Sequence, residues 1–350
     1  MGKKGIRLII VFIMVILALC GGAFIYYKEN LKPTGTSDEK VIVKVETGTS
    51  YQGLFNQLED ADLIHSSFIA KIYLKLSGAN GLQANTYELN KGMSLPEIME
   101  VVATGDFNYL TKVQMTVPEG LTIPEVADIV AEIASVSRQD VLNQWADTAY
   151  LQELINDYWF LDGETILQEG IMYPLEGYLY PETYTVASVD PSVDELTRMM
   201  LDFTSDALEK YKDGMDALGF TPHEFLTFAS IVERESLFDE DRPMIAEVFL
   251  NRLADGMALE SDITVLYALK RTGLDLTIAE IQSTDSYYNT YLYAGLPIGP
   301  ISNVSDVTMN SCVNHDDNDY YYFYARPDGK VLYGRTLEEH NENVANNPWD

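Results

Sequence analysis

The longest uninterrupted apolar pattern lies at the start of the chain. Lys3, Lys4 and Arg7 precede Leu8 to Tyr27, twenty residues without a charge. That length is what a helix needs to cross a bilayer, and basic residues ahead of it keep the N-terminal side cytoplasmic. The pattern predicts a cytoplasmic tail over 1–7, a transmembrane helix over 8–27 and a single-pass type II topology with everything after Lys28 outside. A cleaved signal peptide is the competing reading; its apolar core is normally shorter, about 7–15 residues, and ends in a small-residue site. A lipoprotein box around Cys20 is opposed by the bulky Leu19.

Residues 28–40 show no apolar periodicity and read as a linker. From Val41 the period changes. Val41-Ile-Val-Lys-Val45 alternates as a strand does, and Gly48-Thr-Ser50 then opens a helical pattern through Leu54, Phe55 and Leu58. The same Gly-x-Ser/Thr opening recurs at Gly92-Met-Ser94 before Ile98 and at Gly120-Leu-Thr122 before Val126. Ser94-Leu-Pro-Glu97 and Thr122-Ile-Pro-Glu125 add the capping-box spacing, with proline in the first turn. Ser67 to Leu76 reads as a second helix and Leu82 to Leu89 as a closing strand. The order β-α-α-β over 41–106 resembles a LysM-type wall-binding module; a small α+β spacer has the same order of elements. Residues 107–219 form an intermediate, mostly helical region, interrupted by Tyr173-Pro-Leu-Glu-Gly-Tyr-Leu-Tyr-Pro-Glu-Thr-Tyr184. Those tyrosines suit either a sugar-lined cleft or a core.

The last region, 220–350, begins with Thr221-Pro-His-Glu224, a helix start, and Phe225, Phe228, Ala229 and Val232 fall on one apolar stripe. Glu233 and Glu235 flank that stripe on opposite sides. A carboxylate shielded from water keeps its proton to higher pH and becomes a candidate general acid. Spacing alone does not choose between the two, although Glu235 has the bulkier neighbours. Pro243 and Gly256 bracket a second helix, and Tyr320–Arg326 and Lys330–Arg335 read as a hairpin about Pro-Asp-Gly.

Charge changes the picture of what can bind. With Lys3, Lys4 and Arg7 removed, the exterior part keeps 20 Lys+Arg against 54 Asp+Glu, or −34. Nucleic acid is excluded as a partner at that balance, since phosphate neutralisation needs clustered cations. Anionic lipid surfaces are disfavoured, and a glycan fits better. Cys20 and Cys312 are the two cysteines, one in the span and one outside, so no disulfide forms within the chain. The four histidines show no H-E-x-x-H spacing and Asp316-Asp-Asn-Asp319 lacks the remaining pattern of a calcium loop, so no metal and no cofactor are expected.

Several blocks together resemble one family. Phe228-Ala-Ser-Ile-Val-Glu-Arg-Glu235, Val248-Phe-Leu-Asn-Arg-Leu253, Ser261-Asp262, Tyr288-Asn-Thr-Tyr291 and Gly295-Leu-Pro-Ile-Gly-Pro-Ile301 are similar to those of the endolytic murein transglycosylases, the MltG/YceG-like family. Pro118-Glu-Gly-Leu-Thr122, Leu175-Glu-Gly-Tyr178 and Glu339-His-Asn341 extend the similarity over nearly the whole chain. The resemblance implies that the second Glu of the I-[IV]-E-x-E block, here Glu235, is catalytic. It implies supporting or substrate-binding roles for Glu233, Asn251, Arg252, Asp262, Asn289 and Tyr291. Where the family has Gln and Pro around its Ser-Asp block, this chain has Glu260 and Ile263, which bears on the sugar subsites.

The implied fold is α+β: one N-terminal transmembrane helix, the small LysM-like module and a C-terminal mixed α/β catalytic domain. The implied reaction is lytic cleavage of the MurNAc–GlcNAc bond within nascent peptidoglycan strands, leaving 1,6-anhydroMurNAc ends and setting glycan length beside peptidoglycan synthases and elongation or division proteins. Glu235 protonates the glycosidic oxygen and then takes the C6 hydroxyl proton. Two alternatives remain open: a hydrolytic muramidase with Asp262 or Glu233 as second carboxylate, and a non-catalytic wall-binding scaffold.

Overall fold

A computed structural model describes the chain except for Met1, Gly2, Ala79, Val189, Thr272, Leu274, Pro327, Trp349 and Asp350. The first residues of the expected cytoplasmic tail and the proline of the expected hairpin turn therefore lie outside the described residues. Two compact units are present, Met1–Val113 with Thr185–Val189, and Gln114–Tyr184 with Asp190–Asp350.

The first unit opens with α1 (Lys3–Glu29), whose stretch Ile9–Glu29 has a mean hydropathy of 2.8 and is not buried within the protein. β1 (Lys40–Val45) pairs antiparallel with β2 (Asn85–Asn90), Val43 opposite Tyr87, and between them run α2 (Tyr51–Asp60) and α3 (Ser67–Ser77). α4 (Leu95–Thr104) follows β2. Alternation on β1 sends Val43 and Val45 inward, where they meet Leu54, Phe55 and Leu58 of α2, Leu89 of β2 and Ile98 and Val102 of α4. The recurrent Gly-x-Ser opening does what its chemistry suggests: Ser50 and Ser94 accept the N–H of Gly53 and Glu97, and Glu97 reaches back to the Ser94 N–H at 2.8 Å. Each such cap stabilises its helix by about 1 kcal/mol.

The segment expected as a free linker is in part pinned to this unit. Gly35 N–H donates to Lys91 O at 2.9 Å, Thr34 Oγ1 to Asp62 O at 2.6 Å, and Leu31 O accepts from Leu95 N–H. Backbone groups and a threonine hydroxyl make these contacts, so hydrophobic periodicity does not register them. Gly92 permits the approach, since a Cβ there would sit 2.7 Å from Ser37 N.

The chain passes between the units along β3 (Val113–Thr116) and back along β4 (Thr183–Val186), which pair with each other. The second unit is largely helical, with α5 (Ile123–Ile133), α6 (Arg138–Trp145), α7 (Thr148–Asp157) and α8 (Gly163–Ile166) after β3. Then come α9 (Val193–Lys210), α10 (Lys212–Leu218), α11 (Pro222–Glu235), α12 (Arg242–Ala254), α13 (Asp262–Ala268), α14 (Ile278–Ser283) and α15 (Asp306–Val313). The hairpin of β5 (Tyr322–Ala325) and β6 (Val331–Gly334) and a final α16 (Leu337–Asn346) close the chain.

α11 is the axis of this unit, packed by α12, α13 and α15. It is not the two-faced helix its sequence suggests: His223 and every residue from Phe225 to Glu233 are buried, and only Glu224 of that stretch, the capping-box acid, is exposed. Its polar residues are satisfied locally, Thr227 Oγ1 on His223 O at 2.7 Å and Ser230 Oγ on Thr227 O at 2.8 Å, which lets polar positions enter a core. His223 lies between Tyr178 Oη at 2.7 Å and the Ile298 carbonyl at 2.8 Å. Nε2 must donate to that carbonyl, which leaves Nδ1 to accept from tyrosine, and burial lowers the imidazole pKa in keeping with a neutral ring. Tyr178 is thus core. Gly177, at φ +80, has no room for a side chain against Pro300.

Candidate active site

α11 ends at Glu235, and its last turn delivers that side chain into a cleft of about 340 Å³. Phe249 and Arg252 of α12, Ser261 and Asp262 at the start of α13, Tyr291, and Tyr322 of β5 form much of the wall. His340 of α16 completes it. The Glu235 carboxyl is hemmed in by protein, and that loss of water raises its pKa to about 7 from an ordinary 4.5. Ser261 Oγ donates to Glu235 Oε1 at 2.5 Å and opposes the shift, while the negative charge of Asp262 adds to it. Near neutral pH such an acid can both give and take a proton.

The groups that hold this arrangement come from four separate stretches. Arg252 donates from Nε to Tyr321 O at 2.6 Å and from Nη1 to Ala258 O and Leu259 O at 3.0 and 2.9 Å, tying the β5 hairpin to the loop before Ser261. Its guanidinium stacks over Tyr322 and reaches Glu260 at 3.2 Å. Glu260 has φ +50, so this residue sits at a tight left-handed bend. Ser261 N–H donates to Thr290 Oγ1 at 3.0 Å, and Thr290 Oγ1 also meets Thr264 Oγ1 at 2.9 Å. Tyr291 Oη donates to Asp262 Oδ1 at 2.7 Å.

Four of the residues singled out in the sequence therefore meet at the cleft: Glu235, Arg252, Asp262 and Tyr291. Three do not line it. Glu233, 8% exposed, faces α12 and α15, where Arg242 Nη1 lies at 3.1 Å and Ser305 N–H, Ser305 Oγ and Thr308 Oγ1 donate at 2.9, 2.7 and 2.6 Å. Asn251 Nδ2 donates to Asn318 O and Tyr320 O beneath the hairpin. Asn289 is fully buried; its Nδ2 donates to Ile281 O and Thr284 O, and its Oδ1 accepts from Tyr291 N–H, which sets the loop that carries Thr290 and Tyr291. Ser261 and His340 also line the cleft, and neither carries an individual signal in the sequence. Ser261 stands 26 positions from Glu235, and only its place beside Asp262 in a matching block pointed to it. Among the described residues no group of three or more His, Cys, Asp or Glu is placed to hold a metal. Burial pushes the Cys312 thiol pKa up, which makes it a packing residue.

One carboxylic acid with a raised pKa, oriented by a hydroxyl and set in an open cleft with aromatic and polar walls, is the arrangement of an acid–base site on an extended ligand. Residues 43–346 match the model of the YceG-like family, and the chain belongs to that family. It is 34% identical over 325 residues to the endolytic murein transglycosylase of Bacillus subtilis, covering 93% of this chain and 89% of that protein. The endolytic murein transglycosylase of Streptococcus pneumoniae D39 is 31% identical over 355 residues, and there the match spans 96% of this chain and 64% of the relative. A crystal structure of a YceG-like protein from Listeria monocytogenes superposes with a TM-score of 0.63 at 36% identity, over 87% of this chain and 99% of that one.

Proposed function

We propose that this protein is an endolytic peptidoglycan lytic transglycosylase that cuts the MurNAc–GlcNAc bond of nascent strands and leaves 1,6-anhydroMurNAc ends. The observation that carries the proposal is the state of Glu235: a carboxyl held by burial near pKa 7, with Ser261 fixing one oxygen. Protonated Glu235 gives its proton to the glycosidic oxygen as the C1–O bond breaks. The resulting carboxylate removes the proton of the muramic C6 hydroxyl, whose oxygen closes onto C1, so atoms balance without water and the acid is regenerated. Arg252, Asn251 and Asn289 act as positioning residues for the cleft walls, Glu233 as the anchor of α11, and Asp262 with Tyr291 as the polar edge that meets sugar.

In this reading residues 8–27 anchor the enzyme with type II topology, so that it reaches membrane-proximal strands and limits their length beside synthases and elongation or division proteins. Residues 41–106 serve as a LysM-like wall-binding module, 107–219 as the intermediate region and 220–350 as the catalytic domain. A hydrolytic muramidase is the second reading, favoured by Asp262, a carboxylate in the same cleft. Digestion in heavy-oxygen water separates the two. The transglycosylase leaves anhydro ends, one water lighter and free of label, whereas a hydrolase leaves labelled reducing ends.

A further inference from the structure

A second, larger cavity, about 490 Å³, is also lined by residues of α11 and α13. Arg234 and Ile263 line it, while their immediate neighbours Glu235 and Asp262 line the cleft. Successive helical residues project about 100° apart, so neighbours in the last turn of α11 and at the start of α13 can line two separate depressions.

The charge of this cavity runs against that of the chain. The protein has 23 Lys and Arg against 54 Asp and Glu, yet Arg138, Arg234, Lys270 and Arg271 line the cavity with Glu125 as the single acid. Glu125 is spent on the α5 cap, accepting from Thr122 N–H and Oγ1 at 2.8 and 2.7 Å. Arg138 and Arg271 have carboxylate partners outside the cavity, Asp128 and Glu280. Arg234 and Lys270 have none among the described residues: Arg234 Nη1 donates to Gly120 O at 2.8 Å, and Lys270 Nζ rests 5.5 Å from the Tyr173 ring. A guanidinium with one contact keeps donors free. Between the cations the wall is apolar, with Met172, Ile263 and Leu266. Tyr267 is pinned there by its bond to the buried Glu176, 2.9 Å, whose oxygens also take the Ile123 N–H.

We propose that this cavity binds the acidic stem peptide of the muramoyl residue being cut, with Arg234 and Lys270 on its free carboxylates. The proposal rests on the reading of Glu235 as the acid that cleaves next to muramic acid. The peptide branches from that same sugar, so its site must adjoin the acid, and a pocket combining unpaired cations with apolar wall suits short peptide side chains punctuated by carboxylates.

The test uses the full chain in detergent and two substrates: uncrosslinked strands with stem peptides, and the same strands after enzymatic removal of the peptides. Lys270→Met keeps the stem and removes the charge. It is expected to raise KM for peptide-bearing strands about tenfold, the loss of one charge-assisted contact, and to leave peptide-free strands unaffected, with Lys270→Arg restoring the wild-type value. Calorimetry with a soluble muramoyl peptide gives a readout without turnover: binding is expected in wild type and Glu235→Gln, and lost in Lys270→Met. Equal effects of Lys270→Met on both substrates, or no peptide binding by an active wild type, would overturn the peptide site while leaving the acid in place. Peptide binding that depends on Lys270 in a chain whose cleavage survives Glu235→Gln would sink the catalytic reading instead.

Discussion

Replacing Glu235 by Gln tests the electrostatics of the cleft without any substrate. The folded carboxyl holds its proton to about pH 7, whereas an unfolded one releases it near 4.5. Because the folded pKa is the higher, the group's contribution to stability is fully present below pH 4.5 and has been lost once the pH passes about 7. At 1.36 kcal/mol per unit, the shift sets a ceiling of roughly 3 kcal/mol. Partial exposure of the side chain brings the expectation to about 1–3 kcal/mol. Gln matches the protonated acid in shape and can still accept from Ser261, but it never pays for ionisation. Below pH 4.5 the two proteins should therefore melt together. Well above pH 7 the variant should melt higher by roughly 2–12 °C, taking about 2–4 °C per kcal/mol for a unit of this size. Thermal unfolding followed by tryptophan fluorescence reads the unit concerned, since Trp145 and Trp159 both lie in it. A melting difference that stays constant from acid to alkaline pH would refute the claim that burial holds this proton.

Other substitutions follow from the same geometry. Ser261→Ala removes the hydrogen bond that favours the carboxylate, so the alkaline limb of kcat/KM should move up by about one pH unit, seen in a pH–rate profile; an unmoved limb would mean the 2.5 Å contact does not act on the acid. Glu233→Ala leaves Arg242 and three donors buried without their acceptor. It should destabilise the protein by about 3–5 kcal/mol, measured by denaturant unfolding, and a loss under 1 kcal/mol would contradict a structural role for Glu233.

What could be read from the sequence was local. Thr221, Ser94 and Thr122 open their helices with capping boxes because that motif is complete within four residues. The alternation of Val41 to Val45 likewise becomes β1, and the run after Tyr320 becomes the β5–β6 hairpin. The environment of α11 was not legible, since Thr227, Ser230 and Glu233 look like one solvent face. They are buried because backbone carbonyls and α15 satisfy them, and partners 70 or so residues away, such as Ser305 at a separation of 72, leave no periodic trace. For the same reason a helical wheel puts Glu233 and Glu235 on equal terms. The structure separates them by company: Glu233 meets a guanidinium and three donors, while Glu235 meets one hydroxyl and a cleft. Asn289 stands in a block that resembles the family's, yet its amide braces a loop. A matching motif marks a position without saying whether it faces ligand or backbone.

The most direct measurement is digestion of uncrosslinked nascent glycan strands by the purified full-length protein, wild type beside Glu235→Gln, with every sugar end identified by mass. Anhydro-ended fragments are expected from the wild type and intact strands from the variant; equal cleavage by the two proteins, or reducing ends from the wild type, would rule out Glu235 as the acid of a lytic transglycosylase.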